Sequence, residues 1–133
     1  GARIYKFPSD PGHVAQNNGN DFPWFRLAEM YLIKAEAELN GATGSSTPVA
    51  LVKAVRARAF AIDTMTAITL PGILQQRLFE FTGEGKRRQD LIRFGGYTAP
   101  WAFKTAGDPR NVMMPIPQSQ IDANPNLTQN PGY

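Results

Sequence analysis

LPGILQQRLFEFTGEGKRRQDLIRFG, residues 70–95, is the stretch on which the fold turns. Apolar residues at Ile73, Leu74, Leu78, Phe81, Leu91, Ile92 and Phe94 recur at helical rather than strand spacing. Among them lie Arg77, Glu80, Glu84, Lys86, Arg87, Arg88, Asp90 and Arg93. On a continuous helix Glu80 and Glu84 fall one turn apart, and Glu84 reaches Arg87 and Arg88. Gly83 and Gly85 each weaken a helix interior by about 1 kcal/mol relative to alanine, which predicts a break there and a shorter helix over 86–94. Pro71 suits a first turn and Gly95-Gly96 a stop, so the segment reads as a kinked helix.

Upstream, the spacing predicts a helix over Trp24–Asn40. Phe25, Ala28, Leu32, Ala35 and Leu39 form one face, and Trp24, Leu27, Tyr31 and Glu38 a flanking stripe. Both stripes read as core, Trp24 included, and Asn40-Gly41 supplies a stop. Thr47-Pro48 is a favourable start for a second helix over Pro48–Ala61, presenting Val49, Val52, Val55 or Arg56, and Ala59 inward. A connection of about seven residues makes the two helices neighbours, the shape of a tetratricopeptide-type pair. Residues 1–22 read as an extended entry and loop: Arg3–Phe7 alternates like a short strand ended by Pro8, and Ser9–Asp21 carries no period.

Downstream, Met114-Pro115-Ile116-Pro117 is extended, because proline disfavours helix at the residue before it. Ser119 suits the cap of a single turn over Gln120–Ala123. Asn124-Pro125 and Asn130-Pro131-Gly132 are turn sequences, with Val112, Met113, Ile116, Ile121, Leu127 and Tyr133 as anchors. The fold class is therefore all-α: a tetratricopeptide-like helix pair, a kinked third helix and a long extended C-terminal tail. Residues 1–22 form the entry and 23–133 the helical domain.

Composition narrows the functions. In 133 residues there are no cysteines and a single histidine, His13, in a polar loop, which excludes disulfides, thiolate metal sites and a Ser-His triad. No cofactor motif is present. The net charge of +3 is mildly basic, but five of the 14 basic residues lie in 77–93 interleaved with three acids, which is not the one-faced basic patch of a nucleic-acid binder. No apolar run is long enough for a membrane-spanning helix.

Four pieces in order carry a resemblance: RLAEMYLIKAEAELNG at 26–41, VRARA at 55–59, RLFEFTGEGKRRQDLIRFGGY at 77–97 and MPIPQSQIDANPNLTQNPGY at 114–133. Together they resemble the C-terminal part of the SusD/RagB family. The resemblance implies a much longer helical surface lipoprotein of Bacteroidetes, built on tetratricopeptide-like pairs. It also implies a role that is not enzymatic: binding a glycan, or in some branches a peptide, and capping a SusC-like TonB-dependent transporter of the outer membrane. On this expectation the leader, the lipid-bearing cysteine and the N-terminal repeats lie outside this chain, which supplies mainly scaffold. The resemblance implies glycan contacts that come mainly from that other half and from the insertions joining it to this one.

Glu80, Glu84, Arg87, Arg88, Asp90 and Arg93 read as a structural charge network. General acid–base catalysis needs a carboxyl with a raised pKa facing a cleft, whereas interleaved guanidiniums hold carboxylates ionised. Gly83 and Gly85 are expected to allow close backbone approach beside Glu84. Tyr97 and Trp101 are the ligand candidates, since a loop can expose a ring face to a sugar.

Overall fold

A computed structural model describes residues 3–7 and 9–133. Its helices are α1 Leu27–Leu39, α2 Pro48–Arg56, α3 Leu70–Phe81, α4 Arg87–Arg93 and α5 Gln118–Ala123, with a 3-10 turn at Pro109–Val112. Among the described residues there is no strand; Val14–Asn17 and Trp101–Lys104 form isolated bridges. The chain is all-α. Arg3–Phe7 has the alternation of a strand but no partner strand to pair with, so it runs as irregular backbone. Pro8, expected to end it, lies outside the described residues. No helix among them is long and apolar enough to cross a membrane.

The chain divides into two compact units, residues 1–87 and 88–133. In the first unit α1 packs against both α2 and α3. Leu32 and Ala35 of α1, Leu51 and Val52 of α2, and Ile73 and Phe81 of α3 form one buried cluster. Ala28, Tyr31, Leu39, Val55, Met65 and Ile68 pack around it.

Each helix end has an identifiable cause. Asn40 closes α1 in a Schellman arrangement, with Ala42 N donating to Ala37 O at 3.0 Å and Gly41 N to Glu38 O at 3.1 Å. Thr47 Oγ1 accepts from Ala50 N at 3.2 Å ahead of Pro48. Thr69 Oγ1 accepts from Gly72 N at 3.3 Å, and Pro71 sits in the first turn of α3. The expected break follows α3. Gly83 and Gly85 adopt φ of +84° and +73°, conformations that a side chain resists. A Cβ at Gly85 would meet nothing within 4 Å, and one at Gly83 only Ile4 Cγ2 at 3.7 Å. Backbone conformation, rather than the close approach expected from sequence, is what selects glycine here.

Three boundaries differ from the sequence reading. Helix α1 starts at Leu27, because Arg26 is extended, with φ −135° and ψ 151°. Trp24 and Phe25 therefore precede the helix and are 72% and 78% exposed, so neither is core. Helix α2 stops at Arg56, leaving Ala59 exposed, and the buried residue that the spacing missed is Leu51. Helix α5 begins at Gln118 after Pro117, without a side-chain cap from Ser119.

In the second unit the tail is held by its own side chains. Gln129 Nε2 donates to Ile116 O at 2.9 Å while its Oε1 accepts from Ile116 N at 2.8 Å. One carboxamide thus pairs with both backbone groups of Ile116, as a neighbouring strand would. Asn130 Nδ2 donates to Met114 O at 2.6 Å, and Tyr133 Oη to Met113 O at 3.0 Å. Arg110 Nη1 donates to Gly132 O at 2.8 Å, and its guanidinium lies over the Tyr133 ring. Gln129→Ala is expected to destabilise this unit by about 1–3 kcal/mol, two hydrogen bonds' worth, read as faster amide exchange over 110–133 with α1–α3 unchanged.

Candidate functional site

The densest chemistry in the first unit is a set of three carboxylates, each met by two cations. Arg26, extended just ahead of α1, points its whole guanidinium at the end of α3. Its Nε and Nη2 donate to the two carboxylate oxygens of Glu84 at 2.9 and 2.8 Å, a bidentate pair. Its Nη1 stands 2.8 Å from Glu80 Oε1, and its Nη2 also donates to the Glu80 carbonyl at 3.2 Å. Lys6 adds a second cation to Glu84 at 2.5 Å and donates to the Glu80 carbonyl. Arg58 Nη2 takes the other Glu80 oxygen at 2.8 Å. Across α1, Glu29 meets Arg77 at 3.3 Å and Lys86 at 3.1 Å.

The three carboxylates and Arg77 are buried because helix faces bring them inward. On α3 the buried positions Ile73, Arg77, Glu80 and Phe81 share one face, and Glu84 continues it beyond the break. Phe81 supplies the floor: the guanidiniums of Arg26 and Arg77 lie over its ring at 5.1 and 5.0 Å from the centroid. Lys86 is anchored by the Trp24 carbonyl at 2.6 Å and lies over the Phe25 ring. The Phe25 ring thus covers a cation, and Trp24 holds the same cation through its backbone, instead of either filling the core.

Burial pushes the Glu84 carboxyl up, but hydrogen bonds and charge from Arg26 and Lys6 outweigh it and hold the group below the usual glutamate range. Its folded pKa lies below its unfolded one, so its stabilisation is complete above about pH 4.3 and is lost as pH falls through the folded value. Acid titration of the first unit should show stability declining below that pH, with a smaller decline in Glu84→Gln. A carboxylate held ionised by two cations cannot act as a general acid at neutral pH. Among the described residues no group of three or more His, Cys, Asp or Glu side chains could hold a metal.

The residues singled out in 80–93 are distributed between the two units. Glu80 and Glu84 pair with Arg26, Lys6 and Arg58, and the break at Gly83–Gly85 ends the helix on which a pairing with Arg87 and Arg88 was expected. Arg87 donates to the Leu74 carbonyl at 3.2 Å. Within the second unit Arg88 donates to the Asn111 and Val112 carbonyls at 3.0 and 3.3 Å, and Arg93 pairs with the buried Asp90 at 3.2 Å. Arg26, Glu29, Lys6 and Arg58 were missed. The available signal for the first two was a pair of opposite charges, three residues apart, at the start of a helix.

The loop aromatics each carry a cation. The Arg88 guanidinium lies 5.0 Å from the Tyr97 ring centroid, and the Lys104 ammonium 4.0 Å from that of Trp101. Lys104 also donates to the Tyr97 and Ala99 carbonyls at 2.9 Å each. Trp101 is 49% exposed, which leaves ring surface open beside the ammonium.

Comparison with known proteins gives a consistent result. The SusD family model matches residues 1–108 and 96–133. The chain is 34% identical, over 141 aligned positions, to the starch-binding protein SusD of Bacteroides thetaiotaomicron, covering 97% of this chain and 24% of that protein. It is 36% identical over 130 positions to a SusD-like protein of Formosa agariphila, covering 82% of this chain and 24% of the relative. The chain thus spans about a quarter of the length of these two curated relatives.

Proposed function

The chain belongs to the SusD family, a family of non-catalytic binding proteins, and from that premise we propose that it is the C-terminal scaffold of a glycan-capturing protein. In this reading the whole protein is held at the outer-membrane surface by a lipid anchor. It binds a neutral glycan and delivers it to a SusC-like TonB-dependent transporter, without chemistry of its own. One observation carries the scaffold role: the charged groups of Arg26, Glu80 and Glu84 are engaged with one another. The similarity to a starch-binding protein along nearly the whole chain supports the ligand class.

A second reading, an interaction module contacting the transporter or another part of a longer protein, is favoured by a specific feature. Leu27, Met30 and Ile33 of α1 are exposed large apolar residues next to exposed Trp24 and Phe25. Capture of a peptide instead of a glycan is a variant of the first reading.

The test uses the protein that carries this chain, purified from outer membranes. Retention on a polysaccharide resin, no release of reducing ends, and co-purification with a TonB-dependent transporter are expected. Release of reducing ends, or retention of peptides with no retention on polysaccharide, contradicts the proposal.

A further inference from the structure

Residues 5–22 enclose a trough that the charge network does not use. Tyr5, Phe7 and Phe22 line it together with Asn18, Asn20 and Asp21, and its volume is about 340 Å³. Ligand pockets run from roughly 300 to 1,000 Å³, so it lies at the small end of that range.

Its walls are ordered by local hydrogen bonds, although the sequence there carries no period. The Asp10 carboxylate accepts from Gly12 N and Gly19 N at 2.8 Å each, tying both ends of the loop to one side chain. His13 Nδ1 lies 2.9 Å from the Asp10 carbonyl, and Val14 and Asn17 exchange backbone hydrogen bonds at 3.1 and 2.9 Å. Asn18 Oδ1 accepts from Asn20 N at 2.9 Å, which fixes that carboxamide and leaves its NH2 to donate. On the opposite wall Phe7 and Phe22 stand 5.8 Å apart between centroids, and Phe22 meets Trp24 edge-on at 5.9 Å. Tyr5 is 81% exposed.

We propose that this trough is a carbohydrate subsite for a neutral sugar unit. A pyranose ring has an apolar C–H face and a rim of hydroxyls that both donate and accept. Rings of Tyr5, Phe7 and Phe22 suit the face, and the carboxamides with the Asp21 carboxylate suit the rim. Among the described residues no Lys or Arg lines the trough, and the charged side chain there, Asp21, is acidic, which disfavours phosphate, sulfate or uronate groups. A loop already fixed by Asp10 lowers the ordering cost of binding. The subsite rests on the glycan-capture reading and would place a sugar contact in a part of the chain that lacks both Tyr97 and Trp101.

The experiment titrates the chain with a soluble α-1,4-glucan oligosaccharide, following side-chain amide resonances by NMR, with a β-linked glucan and a neutral peptide as comparison probes. Saturable shifts at the Asn18 and Asn20 amides are expected, with affinity about tenfold weaker in Tyr5→Ala and unchanged in Phe79→Ala, which removes an exposed ring of α3 outside the trough. Phe7→Ala is the second variant, and the unperturbed spectrum of α1–α3 establishes that each variant is folded. Sugar binding that survives both trough variants, or that is lost in Phe79→Ala, overturns the subsite and leaves glycan capture standing. Shifts produced by the peptide alone overturn the saccharide assignment. No binding of any sugar by the chain also overturns the subsite, while polysaccharide retention by the parent protein separately decides the capture reading.

Discussion

Glu84→Ala lowers the stability of the α1–α3 unit by about 3–5 kcal/mol, enough to unfold a marginally stable unit at ambient temperature. Glu84 is 3% exposed, and it takes both nitrogens of the Arg26 fork and the Lys6 ammonium. Its removal takes away the carboxylate that Arg26 and Lys6 share, leaving Arg26 paired with Glu80 and Lys6 with the Glu80 carbonyl, in a site where the freed charges are poorly hydrated. Glu84→Gln keeps the shape and one acceptor oxygen while losing the charge, so a smaller loss is expected. Urea denaturation followed by circular dichroism measures both. If Glu84→Ala were as stable as the parent chain but lost polysaccharide retention, the carboxylate would belong to a ligand site instead.

Phe81→Ala is expected to be comparably severe, about 3–5 kcal/mol, for a different reason. Phe81 is 3% exposed in the cluster with Leu32 and Ile73, so its truncation opens a cavity in a small core. The same ring underlies the guanidiniums of Arg26 and Arg77, which ties the apolar core to the charge network. Phe81→Leu separates the two contributions: it retains much of the volume but offers no aromatic face. A loss of roughly 1–2 kcal/mol in Phe81→Leu would report the cation–ring contacts. Amide exchange confined to α1–α3 should register both variants, with the tail unit unchanged.

The helix pair, the break after Phe81 and the all-α class were legible in the sequence because their causes are local. The phase of Leu32 and Ala35, the Thr47-Pro48 start and the two glycines act within a turn or two of themselves. The charge network was legible only as composition. Its central pair, Arg26 and Glu84, is separated by 58 positions, and no periodicity relates them. Spacing instead suggested Arg87 and Arg88, and the break that the sequence did reveal ends the helix on which that spacing rests. Trp24 and Phe25 were misplaced for a related reason: one extended residue, Arg26, takes them off the helix and aims its own side chain at α3. The tail lacked any period because Gln129, Asn130 and Tyr133 satisfy the backbone of residues 113–116 through side chains.

Arg26 and Glu84 act on each other to hold α1 to the end of α3. A double-mutant cycle over Arg26→Gln and Glu84→Gln, read by urea denaturation of the four proteins, measures that interaction directly. A coupling of about 2 kcal/mol or more is the predicted result. Additivity within about 0.5 kcal/mol would show that the two side chains stabilise the fold independently, and would contradict it.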